Sequence, residues 1–345
     1  MMSDREAALR YIGVFGAARQ ARMLLYLVLV FFCAVALSLF IGRYPHGGFL
    51  PLSRLSSDEL AVSVLVNLRF PRVLTAALLG TCLGASGMVF QMIFANPLVE
   101  PGFLGVSQGA AFGAGVAIVY FGAGGWLVQG GAAFFAFLGL VFSYLLARRI
   151  RFGGWILRLI LSGIAVSALF SAGVGILKYV ADPMGQLPEI TFWLLGGLWG
   201  VSWPRLLSVA PAALAGSALI LGRRWRLNML ALGDETVHSL GSAPARERVL
   251  LLAAAVASTA SLISVCGVVA WIGLIVPHLS RRLFGVDTRY ALPGSMLIGA
   301  LFTLFCDDLS RVLFTAEIPL GILTSLIGAA FFLFLMTGRR RGVYR

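Results

Sequence analysis

Apolar residues in this chain come in runs long enough to cross a bilayer. The stretch MLLYLVLVFFCAVALSLFIG at 23–42 carries no charge at all, and a hydrocarbon core needs about 20 such residues as a helix. Similar runs recur at 73–94, 105–121, 126–147, 156–180, 205–222, 247–269, 272–284, 290–314 and 319–337. Water-free surroundings leave no partner for an unpaired backbone amide, so such segments must be helical. The runs predict an all-α polytopic membrane protein with ten transmembrane helices. Composition agrees: 59% of residues are hydrophobic, only 12% are charged, and mean hydropathy is +0.94. A soluble enzyme of this size needs more polar surface than that charge supplies. The first run is too long for the apolar core of a signal peptide and no clear cleavage site follows it, so it reads as an uncleaved anchor.

The formal charge of +13 invites a nucleic-acid reading, but its distribution argues against one. Only Lys178 is a lysine; the other basic residues are arginines clustered between apolar runs, without a basic stripe. With the N-terminus inside and the spans alternating, twenty basic residues fall inside and seven outside. That is the positive-inside bias, and it predicts an N-in, C-in chain. The expected organisation is a cytoplasmic N-terminal segment at 1–22, one ten-helix domain at 23–337 with a cytoplasmic loop at 227–246, and a basic cytoplasmic tail at 338–345. A phosphate-binding P-loop needs a lysine after its glycines. Lys178 lies in GVGILKYV, so this chain carries no such ATPase. Cys33, Cys82, Cys266 and Cys306 sit in apolar runs as packing residues, and His46, His238 and His278 are scattered singly. No metal-ligand cluster and no cofactor are expected.

Five segments carry more information. In ANPLVEPGFLGVSQGAAFGAG (Ala95 to Gly115), Asn96-Pro97 and Pro101-Gly102 turn the backbone at the inner end of the second span, with Glu100 near membrane depth. LNMLALGDETVHSLGSAPARER (Leu227 to Arg248) is the longest inside loop. It reads as two short helices, with Gly233 ending the first, Asp234 capping the second and Gly241 stopping it. Met229, Leu230, Leu232, Val237 and Leu240 would form an apolar patch for a docking partner. In the third, Gly267 to Leu335, Pro277 breaks the run beside His278. Asp307 and Arg311 stand four apart, the spacing of a helical ion pair. NLRFPR (Asn67 to Arg72) places Arg69 and Arg72 on the outer side, where fixed cations suit an acidic partner. In the fifth, Leu177 to Trp203, Glu189 to Gly197 reads as a short outer helix, and Trp193, Trp199 and Trp203 fit an interfacial belt. The 41 glycines suit close helix packing.

NPLVEPGFLGVSQGAAFG, ALGDETVHSLG, WIGLIVPHLSRRLFG and EIPLGILTSLIGAAFFLFL, in this order and spacing, resemble the ATP-binding-cassette importer permeases of the iron-chelate and vitamin B12 uptake family. The resemblance covers residues 23 to 337 and implies a type II importer fold in the inner membrane. It further implies a homodimer, two cytoplasmic ATPase subunits, a soluble substrate-binding protein on the outer face and no catalysis in this chain. The ATPases would dock on Ala231, Leu232, Gly233, Asp234, Glu235, Val237, Ser239, Leu240 and Gly241. Acidic lobes of the binding protein would meet Arg69, Arg72 and Arg311, and a cytoplasmic gate maps onto Asn96, Pro97 and Leu98. A second gate loop has GGWILRL (Gly153 to Leu159), where relatives carry small hydroxyl residues. Phe170, Leu177, Phe331 and Phe332 are candidates for an apolar pathway along the dimer axis. An iron chelate, siderophore or haem, is the first expectation for the substrate; cobalamin and molybdate or tungstate are alternatives. An ion-coupled secondary transporter is the reading from a different class. It usually needs acids or histidines within the spans, and the central thirds here hold almost none. A membrane enzyme lacks any paired acid–base constellation.

Overall fold

The computed structural model describes residues 4–44, 47–122 and 124–337; the expected basic tail and His46 lie outside them. Each of the apolar runs is helical. The order is α1 (Asp4–Phe40), a two-residue antiparallel ladder of β1 (Ile41–Gly42) with β2 (Gly48–Phe49), α2 (Glu59–Ser63), α3 (Phe70–Ile93), α4 (Val106–Phe121), α5 (Gly125–Arg149), α6 (Trp155–Val180) and α7 (Gln186–Leu195). Then follow α8 (Trp203–Gly222), α9 (Arg224–Leu230), α10 (Asp234–Ser239), α11 (Pro244–Cys266), α12 (Ile272–Phe284), α13 (Thr288–Val312) and α14 (Leu320–Thr337). Among the described residues seven helical stretches are long and apolar enough to cross a membrane, and Val106–Phe121 and Leu320–Phe334 are shorter apolar helices. The tiny ladder is the one departure from an all-helical reading among the described residues, and it closes the turn after α1.

Two boundaries differ from expectation. α1 starts well before the first apolar run, at Asp4, with Ala17–Phe40 forming its apolar part. The second span begins at Glu59, so NLRFPR is helical rather than a lead-in loop. Proline normally breaks a helix interior by removing a donor. Here a π turn over Val64–Arg69 precedes Pro71, and this looser winding carries the helix past it.

α3 is the central post, with most of its surface buried against α13, α11, α12 and α8. α4, α5 and α6 form a second group that joins it through α11. α1 lies at the edge against α13. The α3–α13 seam depends on glycine. A Cβ on Gly80 would sit 2.1 Å from the Gly299 carbonyl oxygen, and one on Gly299 would sit 2.1 Å from that of Gly80. Backbones meet there because small residues permit van der Waals contact that hydrocarbon solvent cannot otherwise drive. Gly299→Val is expected to destabilise the chain by about 3 kcal/mol or more, since the obstructing atoms are backbone. Thermal unfolding in detergent measures this, with Gly130→Ala, which faces open space, as the silent control. Equal midpoints would show that the seam is not closed in this way.

Candidate functional site

The 227–248 loop folds as an anchored hairpin. α9 turns Leu227 and Leu230 inward and α10 turns Val237 inward, leaving Leu232 and Leu240 60% and 56% exposed. The apolar patch is thus narrower than the sequence suggests, because three of its five members secure the hairpin (Met229 is half-buried). Ala231, Gly233, Asp234, Glu235, Ser239 and Gly241 are exposed around the two leucines. Gly233 and Gly241 adopt φ of 90° and 76°, the left-handed half of the map that L side chains avoid.

The base of the hairpin is held by polar contacts to three helices. Asn228 donates its amide to Asp287 Oδ1 at 2.8 Å and accepts from the Thr288 amide and hydroxyl at 3.0 and 2.7 Å. Arg289 pairs with Asp287 at 2.7 Å and lies 5.1 Å over the Trp225 ring. Arg223 grips Glu247 at 2.8 Å. Asp234 does not cap α10 as expected; its carboxylate accepts two bonds from Arg248, at 2.5 and 3.0 Å. The hydrogen bond from Arg248 holds the Asp234 carboxyl below the usual carboxylate range, against a smaller opposing effect of burial. The same guanidinium stands 5.7 Å over the ring of Trp155, the first residue of α6. Arg248 therefore ties the hairpin to α6. In the sequence Arg248 is only one more inside charge.

At the opposite end, Arg69, Arg72 and Arg311 converge on one cavity of about 330 Å³ that Glu317 also lines. They do not simply project from the surface. Arg69 is 5% exposed and Arg311 4%. Arg69 donates to the carbonyls of Leu39, Phe40 and Tyr44 at 3.1, 2.9 and 3.1 Å, placing a cation on the C-terminal carbonyls of α1. Arg72 bridges Asp307 and Glu317, each at 2.9 Å. Arg311 contacts Asp307 at 3.1 Å, the expected i,i+4 pair, and also Asp308 and Ser38. Arg72 and Arg311 are thus neutralised by three carboxylates, while Arg69 is satisfied, among the described residues, by backbone carbonyls alone. A guanidinium with neither a carboxylate nor carbonyl acceptors would be costly there. Trp203 donates to Val66 O at 2.9 Å and stacks on Phe70, which fixes α8 to the same end.

The gate candidates form an exposed turn. Asn96 Oδ1 accepts from the Leu98 amide at 2.9 Å, and Ala95 takes φ of 47° to enter the turn. Glu100, just beyond, accepts from the Trp271 amide at 3.3 Å. Trp271 has φ of 73° and its ring meets Phe332 at 6.2 Å, so Glu100 steadies a strained turn that packs on α14. The pathway candidates on α6 need correction in facing. Phe170 is buried among Phe112, Phe135 and Phe142, and Leu177 packs over Gly115. The free face of α6 is the opposite one, where Ala165, Ala168, Ala172, Ile176 and Tyr179 are exposed. Phe331 is half-buried beside Phe334, while Ile322, Leu326 and Ala330 expose one face of α14.

A family model described as the FecCD transport family matches residues 24–338. The molybdate import system permease protein MolB of Haemophilus influenzae is 38% identical over 93% of this chain and 97% of its own length. The hemin transport system permease protein HmuU of Yersinia pestis is 40% identical over 85% of this chain and 88% of its own. A solved structure described as an inward-facing conformation of a metal-chelate type ABC transporter superposes with a TM-score of 0.85. It is 38% identical and covers 92% of this chain and 99% of its own.

Proposed function

This chain belongs to the FecCD transport family, and we propose that it is the permease subunit through which an ABC importer takes up an iron chelate, siderophore or haem. It is an ABC-transporter permease, a multi-pass protein of the inner membrane. In this reading ten helices cross the membrane with both termini inside, and two copies form the pathway. Separate ATPase subunits bind the hairpin at Ala231–Gly241, and a substrate-binding protein seats on the end that holds Arg72. The chain itself catalyses nothing; its work is to favour different conformations in different nucleotide states of the partner.

The observation that carries the reading is the hairpin. Two exposed leucines and a rim of polar groups stand on a base bonded to α11, α12–α13 and α6. A surface loop with no mechanical role has no need of such anchoring. The unpartnered small-residue face of α6 and the exposed face of α14 support a second copy across the pathway. Arg69 and Arg311, being internal, shape the outer surface, while Arg72 keeps an exposed edge of 11% beside Glu317. The acids at and just after the outer end of α13, Asp307, Asp308 and Glu317, are occupied by arginines in that network, which weighs against a secondary transporter.

Joint Leu232→Asp and Leu240→Asp replacement is expected to release the ATPase and lower ATP-driven uptake more than about tenfold, a loss of roughly 1.4 kcal/mol or more in docking. The unfolding midpoint of the purified chain should stay put. Full uptake by this variant in reconstituted liposomes would exclude hairpin docking. Molybdate is the second reading, favoured by the near-complete alignment with MolB. Binding of a ferric chelate against molybdate by the cognate soluble protein separates the two.

A further inference from the structure

A pocket of about 180 Å³ opens between α5, α7, α8 and α11, at the end of the molecule away from the hairpin. It holds Glu189 and Arg205, and among the described residues neither makes a salt bridge. Opposite charges that share a pocket without touching leave room for a ligand that carries both signs.

The remaining contacts sort the pocket into two halves. Arg205 spends Nη1 on the Gly200 carbonyl at 2.7 Å and keeps its other N–H groups. Its guanidinium is accommodated by two glycines: a Cβ on Gly125 would lie 2.2 Å from Nη2 and one on Gly200 2.6 Å from Nη1. Such a restrained fork suits a phosphate. Gln129 donates to Ser208 Oγ at 2.8 Å, while Ser208 donates to Arg205 O at 2.7 Å, which fixes the amide orientation. Gln129 Oε1 is then a buried acceptor with no donor. A carboxylate, an orphan amide oxygen and the rings of Trp193 and Trp199 together match an ammonium group.

We propose that this pocket binds a zwitterion in which an ammonium and a phosphate ester lie a few bonds apart, the chemistry of an ethanolamine-phosphate headgroup. The volume of about 180 Å³ leaves room for a headgroup. The pocket lies where α5 and α8 begin and α11 ends, at a level lined by tryptophan, as in a membrane interface. Phe192, Trp126 and Leu127 are exposed nearby as an apolar track for acyl chains.

The test uses the full chain, purified and delipidated in detergent, with thermal unfolding and native mass spectrometry as readouts. Phosphatidylethanolamine is expected to raise the unfolding midpoint and remain bound, with phosphatidylglycerol about tenfold weaker. Glu189→Gln should abolish that preference by removing the ammonium partner, and Gly125→Ala should weaken both lipids by displacing the guanidinium. Arg205→Gln should act like Gly125→Ala; should it fail to fold, the other two variants carry the test. Free phosphoethanolamine protecting as well as the lipid would support the same chemistry with a soluble source. Equal retention of both lipids by the native chain, or an unaltered preference in Glu189→Gln, would overturn the proposal.

Discussion

Replacing Asp307 with alanine is expected to cost the fold about 3–5 kcal/mol, the usual penalty for removing one partner of a buried ion pair. Asp307 is fully buried and, among the described residues, is the carboxylate that meets both Arg72 and Arg311. Its loss leaves Arg72 and Arg311 with Glu317 and Asp308 as carboxylate partners, beside the cation of Arg69. Arg72 would keep Glu317, which is partly exposed, and Arg311 would keep Asp308 and the Ser38 hydroxyl. The purified variant should unfold at a clearly lower temperature and accumulate poorly in membranes. A compensating Arg72→Met should recover part of the loss by removing one of the two cations that Asp307 had paired, and the double-mutant cycle measures the coupling. A midpoint unchanged by Asp307→Ala would mean that the network holds nothing together.

The second large effect falls on function rather than folding. Arg248→Leu is expected to leave the ATPase bound but to drop substrate moved per ATP about tenfold, because the motion of α10 no longer reaches α6. The Asp234–Arg248 bonds and the Arg248–Trp155 contact are the links removed. Arg248→Lys keeps the charge but loses the two-pronged geometry, so an intermediate value is expected. Arg246→Leu, on the exposed side of the same turn, serves as the control. Wild-type stoichiometry in Arg248→Leu would place the coupling elsewhere. The tether has a defined pH dependence. The folded pKa of Asp234 is depressed, so the tether's contribution is fully present above the unfolded value of about 3.9. It is lost as pH falls through the lower folded value. Coupling measured between about pH 5 and 8 should therefore show no titration from this residue.

How far the molecule is legible from its residues differs by level. The apolar runs locate α3, α5, α6, α8, α11 and α13 to within a few residues, and the end of α1 but not its start, because long uncharged stretches in hydrocarbon satisfy their backbone as helices. The hairpin is legible too, since Gly233 and Gly241 bracket a short polar segment that only turns of positive φ can close. The pair Asp307–Arg311 follows from helical spacing alone. Arg69 and Arg311 lie inside rather than facing outward. The positive-inside rule concerns the side on which a charge lies and is silent about whether a neighbouring helix covers it.

Facing within the membrane could not be read at all. α5, α6 and α14 are apolar on every side, so no polar stripe distinguishes the face of Phe170, which packs inward, from that of Ala168, which does not. In water a helix shows its buried face by contrast with its wet one; in lipid both faces are greasy and that contrast vanishes. Partnerships across long stretches of chain were equally hidden: Arg72 with Asp307, Arg248 with Trp155, Glu100 with the Trp271 turn. What the chain alone determined is its solvent, its helices and the loop that must emerge from them. Which helix meets which, and so which charges are neutralised and which residues transmit motion, was decided by backbone-to-backbone seams such as Gly80–Gly299. Their complementarity of shape exists only once both helices are in place.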